Sequence, residues 1–273
     1  MLKRTLSGAV YVAVLAGIFV LREFVSPLFF LGLVLAFIGI GTYEMLRAFR
    51  AKLTVSQMVA VSVYAAAYVP VAYFWEITGI AALTAAVVLA AFCLLVFDGK
   101  TTLEGAGSAM ICAFYPTGLS FGLVLANAFA VGSLPVLVMM FVIPACADTF
   151  AYLVGRAVKG PKLCPTVSPN KTISGAIGGL IGGGAGAVAI YFIFRSQAVV
   201  TAHMAGWVSY FLVGLATSVV TIIGDLIESS IKRRIGIKDM GNLMPGHGGI
   251  LDRIDGTLVG SIFLYVVFHV FFM

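Results

Sequence analysis

Polar positions in this chain come in short clusters, and the stretches between them are apolar for about the thickness of a bilayer. A helix needs ~20 mostly apolar residues to cross the hydrocarbon. Cutting the sequence at charge clusters and turn formers gives nine such segments: 5–21, 27–46, 55–75, 78–97, 106–130, 134–156, 173–194, 207–231 and 256–272. The first two are divided at "REFVSP", because one continuous span there would hold Arg22 and Glu23 at bilayer depth. The predicted fold class is all-α, a polytopic integral membrane protein.

Composition agrees. The 273 residues are 61% hydrophobic and 10% charged, with a mean hydropathy of +1.10, against about 25% charged residues in soluble domains. The basic residues then set the orientation. With the amino terminus in the cytoplasm, all of the 17 lysines and arginines except Arg22 and Arg195 fall on the cytoplasmic side, as short Lys- and Arg-rich loops do. That orientation predicts a multi-pass protein of the cell membrane. The net charge of +6, concentrated on one face, would attract anionic head groups or a polyanionic ligand; topology determination alone would also explain it. No small-residue cleavage site follows Lys3 and Arg4, so the first segment is expected to be retained. Cys93, Cys112, Cys146 and Cys164 form no C-x-x-C pair and are read as reduced packing residues.

The acidic residues divide in two. Glu23, Glu76, Asp98 and Glu104 lie in loops near span ends, and Glu44, before Arg47, fits a cytoplasmic helix end. The others cluster at the cytoplasmic ends of later spans: Asp148 in "ACADTFAYLVGR", Asp225 and Glu228 in "GDLIESSIKRR", and Asp239, Asp252 and Asp255 in "IKDMGNLMPGHGGILDRIDG". Asp225, Glu228 and Lys232 share one helix face, as do Asp252 and Asp255. Glu228 with Lys232 is also an ordinary i,i+4 pair, and the spacing leaves both readings open. Carboxylates near hydrocarbon are costly and persist when paired, hydrated or bound to a cation. Hard oxygen ligands suit Mg²⁺, which is held by one or two carboxylates plus substrate phosphates. The loop "GPKLCPTVSPNKTISGAIGG" would supply the anion side: Thr172 or Ser174 would cap the seventh helix, and Lys171 beside its free N–H groups would make a phosphate-binding corner, though taken alone the loop reads equally as a positive-inside loop with a turn. Gly175, Gly179 and Gly183, with Gly178, Gly182 and Gly186, recur every four residues, the small-residue pattern of closely packed spans.

The segment Ser229 to Gly256 resembles the signature of the phosphatidate cytidylyltransferases, the CDP-diacylglycerol synthases. That pattern runs Ser, two positions, Lys-Arg, four positions, Lys-Asp, then Pro-Gly-His-Gly-Gly, two positions, Asp-Arg, one position, Asp. It is matched at Ser229, Lys232, Arg233, Lys238, Asp239, Pro245 to Gly249, Asp252, Arg253 and Asp255. Upstream, "ADTFAYLVGR" and "SPNKTISGAIGG" are similar to the family's Asp-x-x-Ala-Tyr segment and Ser-Pro-x-Lys-Thr loop. The resemblance covers residues 145 to 272; the amino-terminal half matches only in hydropathy.

The resemblance implies that CTP and phosphatidate give CDP-diacylglycerol and pyrophosphate, with Mg²⁺ required. It implies Asp225, Asp252 and Asp255 as metal ligands and Asp148 as a candidate for a second cation. Lys171 joins the catalytic set. Ser168, Asn170, Lys232, Arg233, Lys238, Asp239, Gly246, His247, Gly248, Gly249 and Arg253 would bind substrate, some of the basic residues serving only as anchors. Residues 1–130 would then be a transmembrane scaffold and 131–273 the catalytic region, its site facing the cytoplasm. Expected partners are CTP, phosphatidate and membrane lipid, not nucleic acid; small-residue faces permit a homodimer. Three other readings stay open: a CTP-dependent lipid kinase, a cytidylyltransferase for another lipid phosphate, and an ion-coupled transporter. An inactive homologue would not need the intact motif.

Overall fold

The computed structural model describes residues 2–129, 132–195, 206–244 and 248–272. It is helical almost throughout, an all-α, polytopic membrane protein. Among the described residues, eight helical stretches are long and apolar enough to cross a membrane, Leu103–Ala126 counting as one. Among the described residues the α-helices, in chain order, are α1 (Leu2–Phe24), α2 (Leu28–Ala48), α3 (Val55–Phe97), α4 (Leu103–Phe114), α5 (Phe121–Ala126), α6 (Ser133–Val158), α7 (Ile173–Ile193), α8 (Trp207–Arg234) and α9 (Leu251–Phe272).

The division at "REFVSP" is present: α1 ends at Phe24, α2 begins at Leu28, and Arg22 pairs with Glu23 at 2.8 Å. Element α3 is two helices in one. Its 43 residues would extend ~65 Å as a straight rod, about twice the hydrocarbon thickness. At Glu76 the backbone leaves helical geometry (φ 48°, ψ −137°), and the Tyr64 hydroxyl lies 3.4 Å from Thr84 Oγ1. Residues that far apart in a continuous helix would be ~30 Å distant, so the chain reverses at Glu76. The two arms correspond to the expected segments 55–75 and 78–97. A capping box, with Thr54 accepting from Gln57 N and Gln57 accepting from Thr54 N, starts the first arm.

One departure from all-helix is a short antiparallel hairpin, β1 (Lys162–Cys164) with β2 (Ser168–Thr172), in the loop before α7. In the hairpin those backbone groups satisfy one another.

The chain divides into two compact units. The first holds residues 1–125 with 235–253, and the second 126–234 with 254–273. The first is built around Phe30, Val34, Ile38, Met45, Tyr64 and Tyr68, all almost wholly buried. The core of the second is glycine-rich. Gly178, Gly182 and Gly186 lie against Val154, Phe150 and Cys146 of α6; Gly184 lies against Phe211 of α8, and Gly183 against Ser218 of α8. Helix α7 thus packs between α6 and α8, at the close range that the four-residue glycine spacing predicts.

Candidate active site

In the second unit, β2 leads directly into α7. Thr172 is the N-cap, its Oγ1 accepting from Gly175 N at 3.0 Å. This seats Lys171 at the helix entrance, where its ammonium pairs with Asp225 of α8. Ser229 Oγ donates to the other Asp225 oxygen at 3.4 Å, one turn further along α8. A cleft of about 780 Å³ opens here, lined among others by Asp148, Arg156, Lys162, Asn170, Lys171 and Asp225. Of the residues singled out in the sequence, the cleft therefore gathers Asp148, Asn170, Lys171 and Asp225.

Asp255 lies near Glu228 and feels its charge and that of Asp148. Glu228 is fully buried and accepts from Lys232 at 3.0 Å. Burial pushes the Lys171 ammonium below its ordinary value; the charges of Asp148 and Asp255 raise it again, and Lys232 adds to the lowering. The set is four carboxylates (Asp148, Asp225, Glu228, Asp255) against two ammonium groups (Lys171, Lys232). Among the described residues no three His, Cys, Asp or Glu side chains are grouped so as to enclose a metal by themselves. Arg233 is exposed, and its Nε donates to Val167 O at 3.4 Å, so it anchors the hairpin. Ser168, half-buried, lies in β2.

The remaining signature residues belong to the first unit. Lys238, Asp239 and Arg253 are exposed. Asp252 Oδ2 accepts from Met240 N at 3.0 Å and Gly249 N at 2.8 Å, tying the loop to the start of α9. Gly248 has φ +89°, and a Cβ there would collide with Asp252 Oδ2, so glycine is required twice over. Pro245, Gly246 and His247 lie outside the described residues.

Glu44 was set aside in the sequence as a helix-end residue. It is 4% exposed, and its two oxygens accept from Ile250 N (3.1 Å) and Leu251 N (3.0 Å), 206 and 207 positions away. The only local signal was an acid in an apolar helix, and Arg47 nearby offered a simpler account of it.

Comparison with known proteins matches the cytidylyltransferase family over residues 2–271. The phosphatidate cytidylyltransferase of Brucella abortus is 44% identical over 135 residues, 50% of this chain and 47% of that protein. The Haemophilus influenzae protein of the same name is 40% identical over 139 residues, 49% of this chain and 46% of its own length. These matched stretches span about half the length of those relatives. The phosphatidate cytidylyltransferase of Bacillus subtilis is 31% identical over 283 residues, covering 99% of this chain and 98% of that protein. With agreement running almost from end to end, this chain belongs to the cytidylyltransferase family.

Proposed function

We propose that this chain transfers the cytidylyl group of CTP to phosphatidate, forming CDP-diacylglycerol and releasing pyrophosphate. The observation that carries the reading is the cleft of the second unit, where Asp148, Asn170, Lys171 and Asp225 line one opening in a chain whose relatives bear that enzyme's name. The family generally uses a divalent cation; Mg²⁺ is our assignment, from the all-oxygen donor set. Asp225 and Asp255 would hold it, with Asp148 available to a second cation. When bound it neutralises charge on the triphosphate.

The attacking group is an oxygen of the lipid phosphate, already ionised at neutral pH because the second pKa of a phosphate monoester is about 6. It forms a bond to the α-phosphorus as the bond from that phosphorus to the bridging oxygen of pyrophosphate breaks. No proton has to be removed, so no general base is required. Lys171, at the entrance to α7, is suited to bind phosphate beside that helix's N–H groups. Lys232 balances Glu228. Asp252 orders the signature loop.

The same reading has nine membrane crossings, counting the two arms of α3. The amino terminus and the site lie on the cytoplasmic side of the cell membrane, supported by the one-sided distribution of lysine and arginine. The glycine rows that would permit a homodimer are occupied by α6 and α8.

The test uses purified protein in detergent with Mg²⁺ and CTP labelled at the α or the γ phosphate, offered phosphatidate or diacylglycerol. Label from the α position in the lipid made from phosphatidate, with pyrophosphate released, is the expected result. Label from the γ position in lipid would replace the reading with a CTP-dependent lipid kinase. No label in either lipid would rule out both lipids as acceptors.

A further inference from the structure

Glu44 is near the end of α2 in the amino-terminal half, yet the groups it binds belong to the signature segment. Its carboxylate spans two consecutive amides, one oxygen on Ile250 N and the other on Leu251 N, at the first turn of α9. The approach is close enough to demand glycine on two sides. A Cβ at Gly241 or at Gly249 would run into the Glu44 carboxylate, and that carboxylate is pinned by its two amides and has little freedom to yield. Asp252 meanwhile takes the amides of Met240 and Gly249. Four backbone N–H groups flanking the loop, at 240 and 249–251, are thus held by two carboxylates, one of them from a distant helix.

We propose that Glu44 is a positioning residue for the signature loop. It sets the backbone of the described flanks, 240–244 and 248–251, and through them the presentation of Lys238, Asp239 and the Gly248 amide, the groups of this unit suited to a phosphate-bearing ligand. The identity of that ligand rests on the cytidylyl-transfer reading; the carboxylate-to-amide geometry does not. The chemistry also explains why the residue is Glu rather than Gln. An amide side chain has one acceptor oxygen, and its NH₂ would be turned toward a backbone N–H, donor against donor. Asp keeps both acceptors with a shorter reach.

The experiment compares Glu44→Gln and Glu44→Asp in the full-length protein by amide hydrogen exchange, thermal melting and steady-state kinetics. For Glu44→Gln we expect faster exchange confined to 240–251. We also expect a KM for CTP raised about tenfold, the size of effect that follows from leaving buried amides unsatisfied, with a smaller change in kcat. Glu44→Asp is expected to recover part of both. Gly241→Ala should reproduce the Glu44→Gln defect, and combining it with Glu44→Asp, which makes room for the added methyl, should relieve it. The proposal is overturned if Glu44→Gln keeps wild-type exchange at 240–251. It is equally overturned if exchange rises evenly across α2, α3 and α4 with a fall in melting temperature, since Glu44 would then only stabilise the unit. If the wild-type protein transfers no cytidylyl group, the transfer reading fails, and the exchange measurement still decides whether Glu44 holds the loop.

Discussion

Replacing Asp225 or Asp255 with Asn is expected to lower turnover with CTP and phosphatidate by a hundredfold or more, about the cost of removing one group that stabilises transition-state charge. The protein should still elute as a folded species. Asn keeps the size and one acceptor oxygen of each side chain while removing its charge. At 225 the loss is compounded, because Lys171 then lacks the carboxylate that fixes its ammonium at the mouth of the cleft. Breaking a buried ion pair can unfold a protein, but here both partners keep about a quarter of their side-chain surface exposed (27% and 26%), so solvent softens the penalty. Asp255 provides the second arm of the test, since among the described residues no ion pair joins it to a lysine as one joins Asp225 to Lys171. Turnover within about twofold of wild type in both variants would remove these carboxylates from the site. Loss of turnover in the Asp225 variant alone would move the cation to the Asp148 and Asp225 side of the cleft.

The second large effect lies in the packing of the second unit. Gly214 of α8 is met on three sides: a Cβ there would come within 2.7 Å of Ala187 Cβ, 2.7 Å of Gly183 O and 2.9 Å of Gly184 Cα. Two of those atoms are helix backbone and have no rotamer to change. Gly214→Ala is expected to cost about 1–3 kcal/mol and Gly214→Val to leave little monodisperse protein on size-exclusion chromatography. The proper control is Gly107 of α4, where nothing lies within 4 Å of an added Cβ; Gly107→Ala should melt at or slightly above the wild-type temperature, since alanine favours helix over glycine. A Gly214→Val protein that elutes and melts like wild type would mean that α7 and α8 do not approach at this point.

Two findings changed what the motif residues mean locally. Lys171 was legible as a lysine at a helix start from "NKT", and Thr172 as a cap, because both depend on neighbours in sequence. Asp252 was legible as an acid on the face of Asp255, yet its oxygen Oδ2 serves the amides of Met240 and Gly249. Helical periodicity tells which residues share a face and nothing about what that face meets. Arg233 similarly shares a basic run with Lys232, but reaches back 66 positions to the hairpin carbonyl of Val167.

From the sequence alone came the membrane class, the alternation of spans and loops, the start of α7 and the signature itself. Each is encoded in short-range pattern: runs long enough to cross a bilayer, caps next to the helices they close, glycines at a four-residue spacing. Only the tertiary structure decided that α3 turns back on itself at Glu76, that α7 runs between α6 and α8, and that Glu44 belongs to the loop some two hundred residues later. Those contacts join atoms far apart along the chain, and a buried carboxylate can be satisfied by any backbone N–H that folding brings to it. No local pattern names that partner in advance.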